Sequence, residues 1–365
     1  MLVAILHPAI PENASLEDQD TLVQVQAIAA TLERLSHEPL LVPCTLDLAA
    51  MRDRLALVQP DMAFNLAESL DGADSLQYLP AAVLDSLGIP YTGNSTEAIF
   101  QTTHKLVAKQ VLHLAGLPTA AWMALEGHAC APYAPWERRG NGAPARFASA
   151  ASPREGSRLA PPCIIKAVWE HASRGLDERN VLLDGDATTV ECQLREHIEQ
   201  TRRPCFAEQF IEGREFNVPI LDGPDGPQVL PIGEIDFSTY PDGKPRIVCH
   251  RAKWQEDSFE YNNTPRHFHF SPEDQPLRDQ LRELSLTCWR LFGMRGYARV
   301  DFRVDREGRP WILEVNSNPC LSPDAGFAAA VAEAGLTYDE AVGRIVERAA
   351  AGMAPASCRR VSCCL

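Results

Sequence analysis

Asp301, Glu314 and Asn316, with Arg299 just ahead of them, combine side chains that can hold a hard cation and an anion side by side. Carboxylate and amide oxygens suit Mg²⁺, which keeps part of its water shell and usually completes it with nucleotide phosphate oxygens. A guanidinium on the same surface would face whatever anion the metal holds. That chemistry requires the four side chains to share a face. Alternating runs from Tyr297 to Val304 and from Trp311 to Val315, separated by the polar turn Asp305-Arg306-Glu307-Gly308, predict an antiparallel hairpin. Alternation places Arg299, Asp301 and Arg303 on one face of the first strand, with Val300, Phe302 and Val304 on the other. On the second strand Glu314 and Asn316 oppose Leu313 and Val315. An ordinary solvated sheet also shows one charged face. The polar run Asn316-Ser317-Asn318-Pro319, directly off the strand end, favours a loop that holds ligands.

Further segments carry charge in unexpected settings. Lys166 is set into the apolar run Pro162 to Val168, where an unpaired ammonium is costly, so a phosphate partner explains it. Glu170 to Gly175 follows, with the small polar content of a flap that lays backbone N–H groups over phosphates. In Phe206 to Val218 two strands are expected to meet at Glu212-Gly213, with Glu208 and Glu215 on either side of a tight turn. Lys105 opens a helical stretch, and by itself it reads as a surface lysine.

The elements that must position these groups follow from periodicity. Residues 1 to about 105 alternate strands (Leu2 to Leu6, Pro39 to Val42, Met62 to Leu66, Ile89 to Tyr91) with helices (Thr21 to Ser36, Leu48 to Val58, Leu79 to Leu87). This predicts a parallel sheet covered on both faces, with ligands at the carboxyl ends of its strands. Strands are expected at Ile232 to Phe237 and Arg246 to Trp254, an amphipathic helix at Gln280 to Phe292, and two closing helices between Gly326 and Ala350. Residues 127–160, rich in Pro, Gly, Ala, Arg and Ser, read as an insertion in which Tyr133 and Trp136 could plug an opening; 351–365 reads as a flexible tail.

The net charge of -15 and the lack of a basic block argue against a nucleic-acid partner. No apolar run is long enough for a membrane span, and the first residues read as a strand rather than a signal peptide. The eleven cysteines, mostly single and in apolar contexts, fit a reduced, cytoplasmic protein; Cys358, Cys363 and Cys364 lack zinc-type spacing.

Taken together, R-x-D-x(12)-E-x-N with a following proline, FNLAESLDG, PYTG, the Lys166 strand and EQFIEGRE resemble, in order, the ATP-grasp superfamily and within it the D-alanine:D-alanine ligase branch. The resemblance implies an α/β protein, α+β in its ATP-grasp part: an N-terminal parallel-sheet domain (1–105), a central ATP-grasp lid (106–220) and a C-terminal catalytic subdomain (221–350), with nucleotide between the last two. It implies Asp301, Glu314 and Asn316 as ligands of two Mg²⁺ ions, which Mn²⁺ can replace. Arg299 falls on the transition-state arginine, Lys105 and Lys166 on ATP-contacting lysines, and Lys253 on the terminal-phosphate lysine. Ser173 matches the flap serine. Glu208 and the backbone through Phe210 and Ile211 match the adenine-reading segment, and Glu215 the ribose ligand. The implied reaction is ATP-dependent amide formation from a small carboxylate and an amine through an acyl phosphate. Homodimers are common in the family.

Departures bear on substrate. His104 stands where the family has an acidic residue, and His171 and Ala172 replace the flap's glycine and serine. The family's H-G-G-x-S-x-E motif, whose Glu positions the first substrate's amine, is replaced by His7 to Asn13; Glu12, Glu17 or Glu68 are candidate substitutes. Ala325 stands where a serine would meet the second carboxylate. A carboxylate-amine pair other than two D-alanines is therefore favoured; a D-alanine:D-alanine ligase, a phosphotransferase on the same fold and a non-catalytic ATP-binding regulator are the alternatives.

Overall fold

A computed structural model describes residues 1–11, 14, 16–125, 159–170 and 173–351. Most of the expected insertion (with Tyr133 and Trp136), Glu12, the Glu17 side chain, His171, Ala172 and the tail cysteines lie outside the described residues.

Strands β1 (Leu2–Pro8), β2 (Glu38–Cys44) and β3 (Met62–Asn65) form a parallel sheet in the order β2-β1-β3. Alternation sends Val3 and Ile5 to one face, against Tyr297, Phe327 and Ile345, and Ala4 and Leu6 to the other, against Leu55 and Leu84. With both faces covered, the apolar β1 needs no polar side. The expected strand at Ile89 to Tyr91 is reduced to one bridge, Ala63 to Tyr91, because the chain turns away at Gly93 (φ 77°) toward the helix Thr96–Thr103.

That turn makes the main polar joint of the molecule. Buried Asn94 donates from Nδ2 to the carbonyls of Tyr297 (2.8 Å) and Ser317 (2.7 Å), and its Oδ1 accepts from the Arg295 amide (2.8 Å). Gly93 and Gly296, both at positive φ, meet backbone to backbone; a Cβ on Gly296 would lie 3.1 Å from the Gly93 Cα.

Strands β4 (Trp122–Met123), β5 (Cys163–Ala167), β6 (Val181–Leu182) and β7 (Cys205–Gln209) form an antiparallel sheet, β4-β7-β5-β6, backed by the helix Ala187–Thr201 through Val190 and Leu194. A third sheet contains β8 (Gly213–Gly223), β9 (Gly226–Val229), β10 (Gly233–Ile235), β11 (Arg266–His267), β12 (Tyr297–Asp305) and β13 (Pro310–Asn316). Its inner face packs Phe216, Val218, Val300 and Phe302 on the helix Gln275–Leu291.

Three expectations need correction. Glu208 and Glu215 do not flank a hairpin: β7 pairs within the second sheet and β8 with β12 in the third, so residues 210–212 cross between sheets. The expected division after residue 220 would cut through β8, whereas the sheet changes between Gln209 and Gly213. The expected strand from Arg246 to Trp254 is an irregular segment followed by the helix His250–Trp254. Its apolar Ile247 and Cys249 are buried by packing on Ile164 and Phe210 rather than by a ladder. Among the described residues no helix is long and apolar enough to cross a membrane.

Candidate active site

A cavity of about 580 Å³ lies where the three sheets converge, and every site residue expected from the sequence lines it. On its floor Asp301 stands opposite Glu314, and Arg299 opposite Asn316, across the β12–β13 ladder. The ladder is irregular here. Phe302 pairs with Ile312 and Asp301 with Glu314, so Leu313 is an extra residue, a β-bulge. The bulge corrects the expected alternation. Ile312 and Val315 face the core, whereas Leu313 lines the cavity with Glu314 and Asn316.

Arg299 grips Asp301 with two charge-assisted bonds, Nε to Oδ1 (2.7 Å) and Nη2 to Oδ2 (2.8 Å), and lies 4.0 Å from Glu314. Asn217 Nδ2 also donates to Asp301 Oδ1 (2.8 Å). Burial raises the Asp301 carboxyl against the pull of Arg299, with Glu314 adding repulsion. Burial opposes the charge on Arg299, but Asp301 keeps it firmly protonated. Two adjacent carboxylates that repel across a ladder, with the Asn316 amide oxygen beside them, make a hard-oxygen set that fits Mg²⁺ and leaves positions for phosphate oxygens. Asn316 Oδ1 is oriented by the Asn318 amide (3.0 Å).

The roof comes from the second sheet. Lys166 of β5 and Glu208 of β7 form an ion pair, and Lys109, from the helix Lys105–Leu114, reaches the other Glu208 oxygen at 2.8 Å. Lys109 is 2% exposed and also donates to Thr119 Oγ1 (2.9 Å) and the Ala120 carbonyl (3.0 Å). Burial raises the Glu208 carboxyl, but the two lysines outweigh it and hold it below its ordinary value. The sequence reading missed Lys109. The available signal was its spacing, one turn after Lys105 on a helix whose other nearby positions, Val107, Ala108 and Leu112, are apolar. The phosphate expected to compensate Lys166 is replaced in this state by Glu208.

Lys105 donates to the Glu170 carbonyl at the start of the flap, and burial lowers its pKa. His104 acts as the helix cap: its Nδ1 accepts from the Val107 amide (3.3 Å), and burial lowers its pKa to about 4, leaving it neutral. Ser173, held at φ 59°, donates its hydroxyl to the Val248 carbonyl (2.8 Å), tying the flap to the segment that leads to Lys253. Burial lowers the Lys253 pKa while the charge of Glu314 raises it. Glu215 is paired with Arg303 (3.2 Å), whose guanidinium also donates to the carbonyls of Gly213 (3.0 Å) and Arg246. Burial raises the Glu215 carboxyl and Arg303 opposes it. Phe210 and Ile211 enter the cavity from the crossing between sheets.

The far end is formed by the N-terminal sheet and the last helices. Glu68, beside Gln24 Nε2 (3.3 Å), is pushed by burial up to about 7. It supplies a cavity carboxylate where the expected amine-holding motif is missing. Ala325 and Gly326 line the same end, and the nearby Ser322 hydroxyl is committed to Asp20 (3.1 Å).

Residues 111–347 match the model of the D-ala D-ala ligase C-terminus family. A D-alanine–D-alanine ligase of Moorella thermoacetica is 30% identical over 92% of this chain and 96% of its own length. An uncharacterized protein y4sG of Sinorhizobium fredii is 27% identical over 88% of this chain and 85% of its own. Among solved structures, a D-alanine–D-alanine ligase from Bacillus anthracis complexed with ATP aligns with a TM-score of 0.66 at 18% identity, covering 96% of this chain and 97% of that one.

Proposed function

Because the chain belongs to the D-alanine–D-alanine ligase family of ATP-grasp proteins, we propose that it is an ATP-dependent, ADP-forming ligase joining a small carboxylate to an amine. The observation that carries this reading is the convergence of Arg299, Asp301, Glu314, Asn316 and Lys253 with Lys105 and Lys166 on one cavity. Asp301, Glu314 and Asn316 would hold Mg²⁺, which supplies charge neutralisation and alignment of the β- and γ-phosphates. Lys105, Lys166 and Lys253 bind and orient phosphate oxygens, with Ser173 holding the flap over them. Glu208, Phe210, Ile211 and Glu215 form the adenosine pocket. The carboxylate oxygen attacks the γ-phosphorus and displaces ADP. The amine, as its free base, then attacks the acyl carbon, and Arg299 stabilises the tetrahedral oxyanion until phosphate leaves and takes up the proton released by the nitrogen. Lys109 acts as a positioning residue, aiming the Glu208 carboxylate.

The carboxylate-amine pair is one other than two D-alanines, supported by Glu68 and Ala325 at the substrate end. Buried thiols at Cys44, Cys163, Cys205, Cys249 and Cys288, all unpaired, suit the reducing cytoplasm. The test is a phosphate-release screen of amino acids and small acids in pairs, with ATP and Mg²⁺. The expected products are ADP and phosphate from a pair other than D-alanine with itself. Formation of AMP and pyrophosphate, or turnover fastest with D-alanine alone, would overturn the mechanism or the substrate assignment respectively.

A further inference from the structure

Arg266 of the edge strand β11 reaches into the cavity beside the reaction floor, where Arg299, Asp301 and Glu215 are its charged neighbours. Its guanidinium makes no hydrogen bond or ion pair with any described residue. Asp324, exposed and close by in sequence to the cavity wall, does not pair with it.

Two glycines make room for this side chain. A Cβ on Gly233 would lie 2.7 Å from Arg266 Cδ, and one on Gly326 would lie 2.6 Å from Cζ and Nη2. Neither glycine has a left-handed backbone, so what each provides is space for the arginine. Gly326 is also the first residue of the helix Gly326–Glu333, which has no side-chain cap and no acidic residue in its first turn. The guanidinium thus stacks on the positive end of a helix, with a second guanidinium, Arg299, across the cavity. Arg266 is exposed to the solvent of the cavity, and with Asp301 and Glu215 as its only attractive neighbours among the described residues and no hydrogen bond to either, its donors remain open to an entering anion. Desolvation in the cavity and Arg299 push the Arg266 pKa down, while the charges of Asp301 and Glu215 oppose them.

We propose that Arg266 recognises the carboxylate of the amine-bearing substrate and so restricts that substrate to amino acids and related amino carboxylates, an assignment that rests on the ligase reading above. It performs the role that Ala325, without a hydroxyl, cannot. A planar guanidinium takes a carboxylate through two parallel bonds, and the free amides at Gly326 supply further donors to the same anion. The substrate's amine is then held on the side of Arg299, where an acyl phosphate would present its carbon.

The experiment compares wild type, Arg266→Gln and Arg266→Lys on the best substrate pair, with the acceptor offered as the free α-carboxylate and as its carboxamide. Loss of a charge-assisted carboxylate contact should lower kcat/KM for the free acid roughly tenfold to a hundredfold in Arg266→Gln, mainly through KM. The carboxamide should be used equally by both proteins, Arg266→Lys should recover part of the loss, and KM for ATP should not move. A rise in KM for ATP instead would make Arg266 a phosphate contact and overturn the proposal, as would equal effects on acid and amide. Calorimetric titration of the ADP–Mg²⁺ complex with free amino acids and their carboxamides separates the two levels of argument. Discrimination present in wild type and lost in Arg266→Gln supports the assignment even if no pair turns over, in which case only the ligase reading fails. Wild-type protein that binds no amino acid more tightly than its carboxamide overturns the assignment.

Discussion

The two ends of the cavity, proposed above to take nucleotide and substrate, handle charge in opposite ways. Under the second sheet and on the β12–β13 floor, Lys109 and Lys166 share Glu208, Arg303 holds Glu215, and Arg299 grips Asp301. At the other end Glu68 is pushed by burial toward neutrality, and Arg266, exposed to the solvent of the cavity, makes no pair among the described residues. A buried charge is costly unless compensated. One end is therefore largely compensated by protein groups, which under the proposed reading serve a nucleotide of fixed charge. Under the same reading the other leaves part of its compensation to the substrate.

Five substitutions break or sharpen this contrast. The largest effect is expected on the floor. Glu314→Gln should lower turnover about a thousandfold or more, the scale of several kcal/mol of lost charge stabilisation, with the fold retained by circular dichroism. Asp301→Asn should match it in activity but also lower stability, because Asp301 is 5% exposed and is the bidentate partner of Arg299. Activity within tenfold of wild type in both would show the floor to be only a charged sheet face. Next, Lys109→Met leaves Glu208, 1% exposed, with a single lysine. Breaking one arm of a buried pair should cost about 3 kcal/mol in urea unfolding and raise KM for ATP. An unchanged midpoint would mean that water already reaches this triad.

At the substrate end the effects are smaller and depend on pH. The Glu68 carboxyl, at about 7 in the folded chain against an ordinary 4.5, keeps a proton that the unfolded chain has released between those values. Stability from this group is thus lost as pH rises through that window. Relative to Glu68→Gln, the wild type should lose about 2 kcal/mol between pH 4.5 and 7.5, less if cavity water screens the group. Gln24, Asp20, Asp74 and Arg174 face the same carboxyl, and Asp20 and Asp74 act in the same direction. Parallel curves for the two proteins would show Glu68 to be solvated. The smallest effect on folding is expected for Gly326→Ala, under about 0.5 kcal/mol, since the atoms it meets are the far end of a flexible side chain. It should nevertheless raise the acceptor KM several-fold by displacing Arg266, and an unchanged KM would separate that glycine from recognition.

The floor was legible in the sequence because a hairpin's faces follow from alternation, and Arg299, Asp301, Glu314 and Asn316 lie together as alternation requires. Leu313 was misplaced because a bulge leaves no reliable trace in a short apolar run. Glu208 and Glu215 were correctly singled out but wrongly joined by a turn: local spacing cannot reveal that β7 and β8 enter different sheets. Lys109 and Arg266 were not found at all. Each lies in an ordinary context along the chain, and its importance comes from partners, or the lack of them, brought near from far away in sequence.

The Asn94 joint and the contact of Gly93 with Gly296 have a consequence for exchanging parts between relatives. A chimera that takes residues 1–105 from one protein and the remainder from another would place an unmatched turn against the backbone at residues 295–297 and 317. Such hybrids should fail at the seam even when each half is sound, unless Gly93, Asn94 and Gly296 travel together. The first-domain turn and the β12–β13 hairpin therefore act as one structural piece, although two hundred residues of chain lie between Asn94 and Arg295.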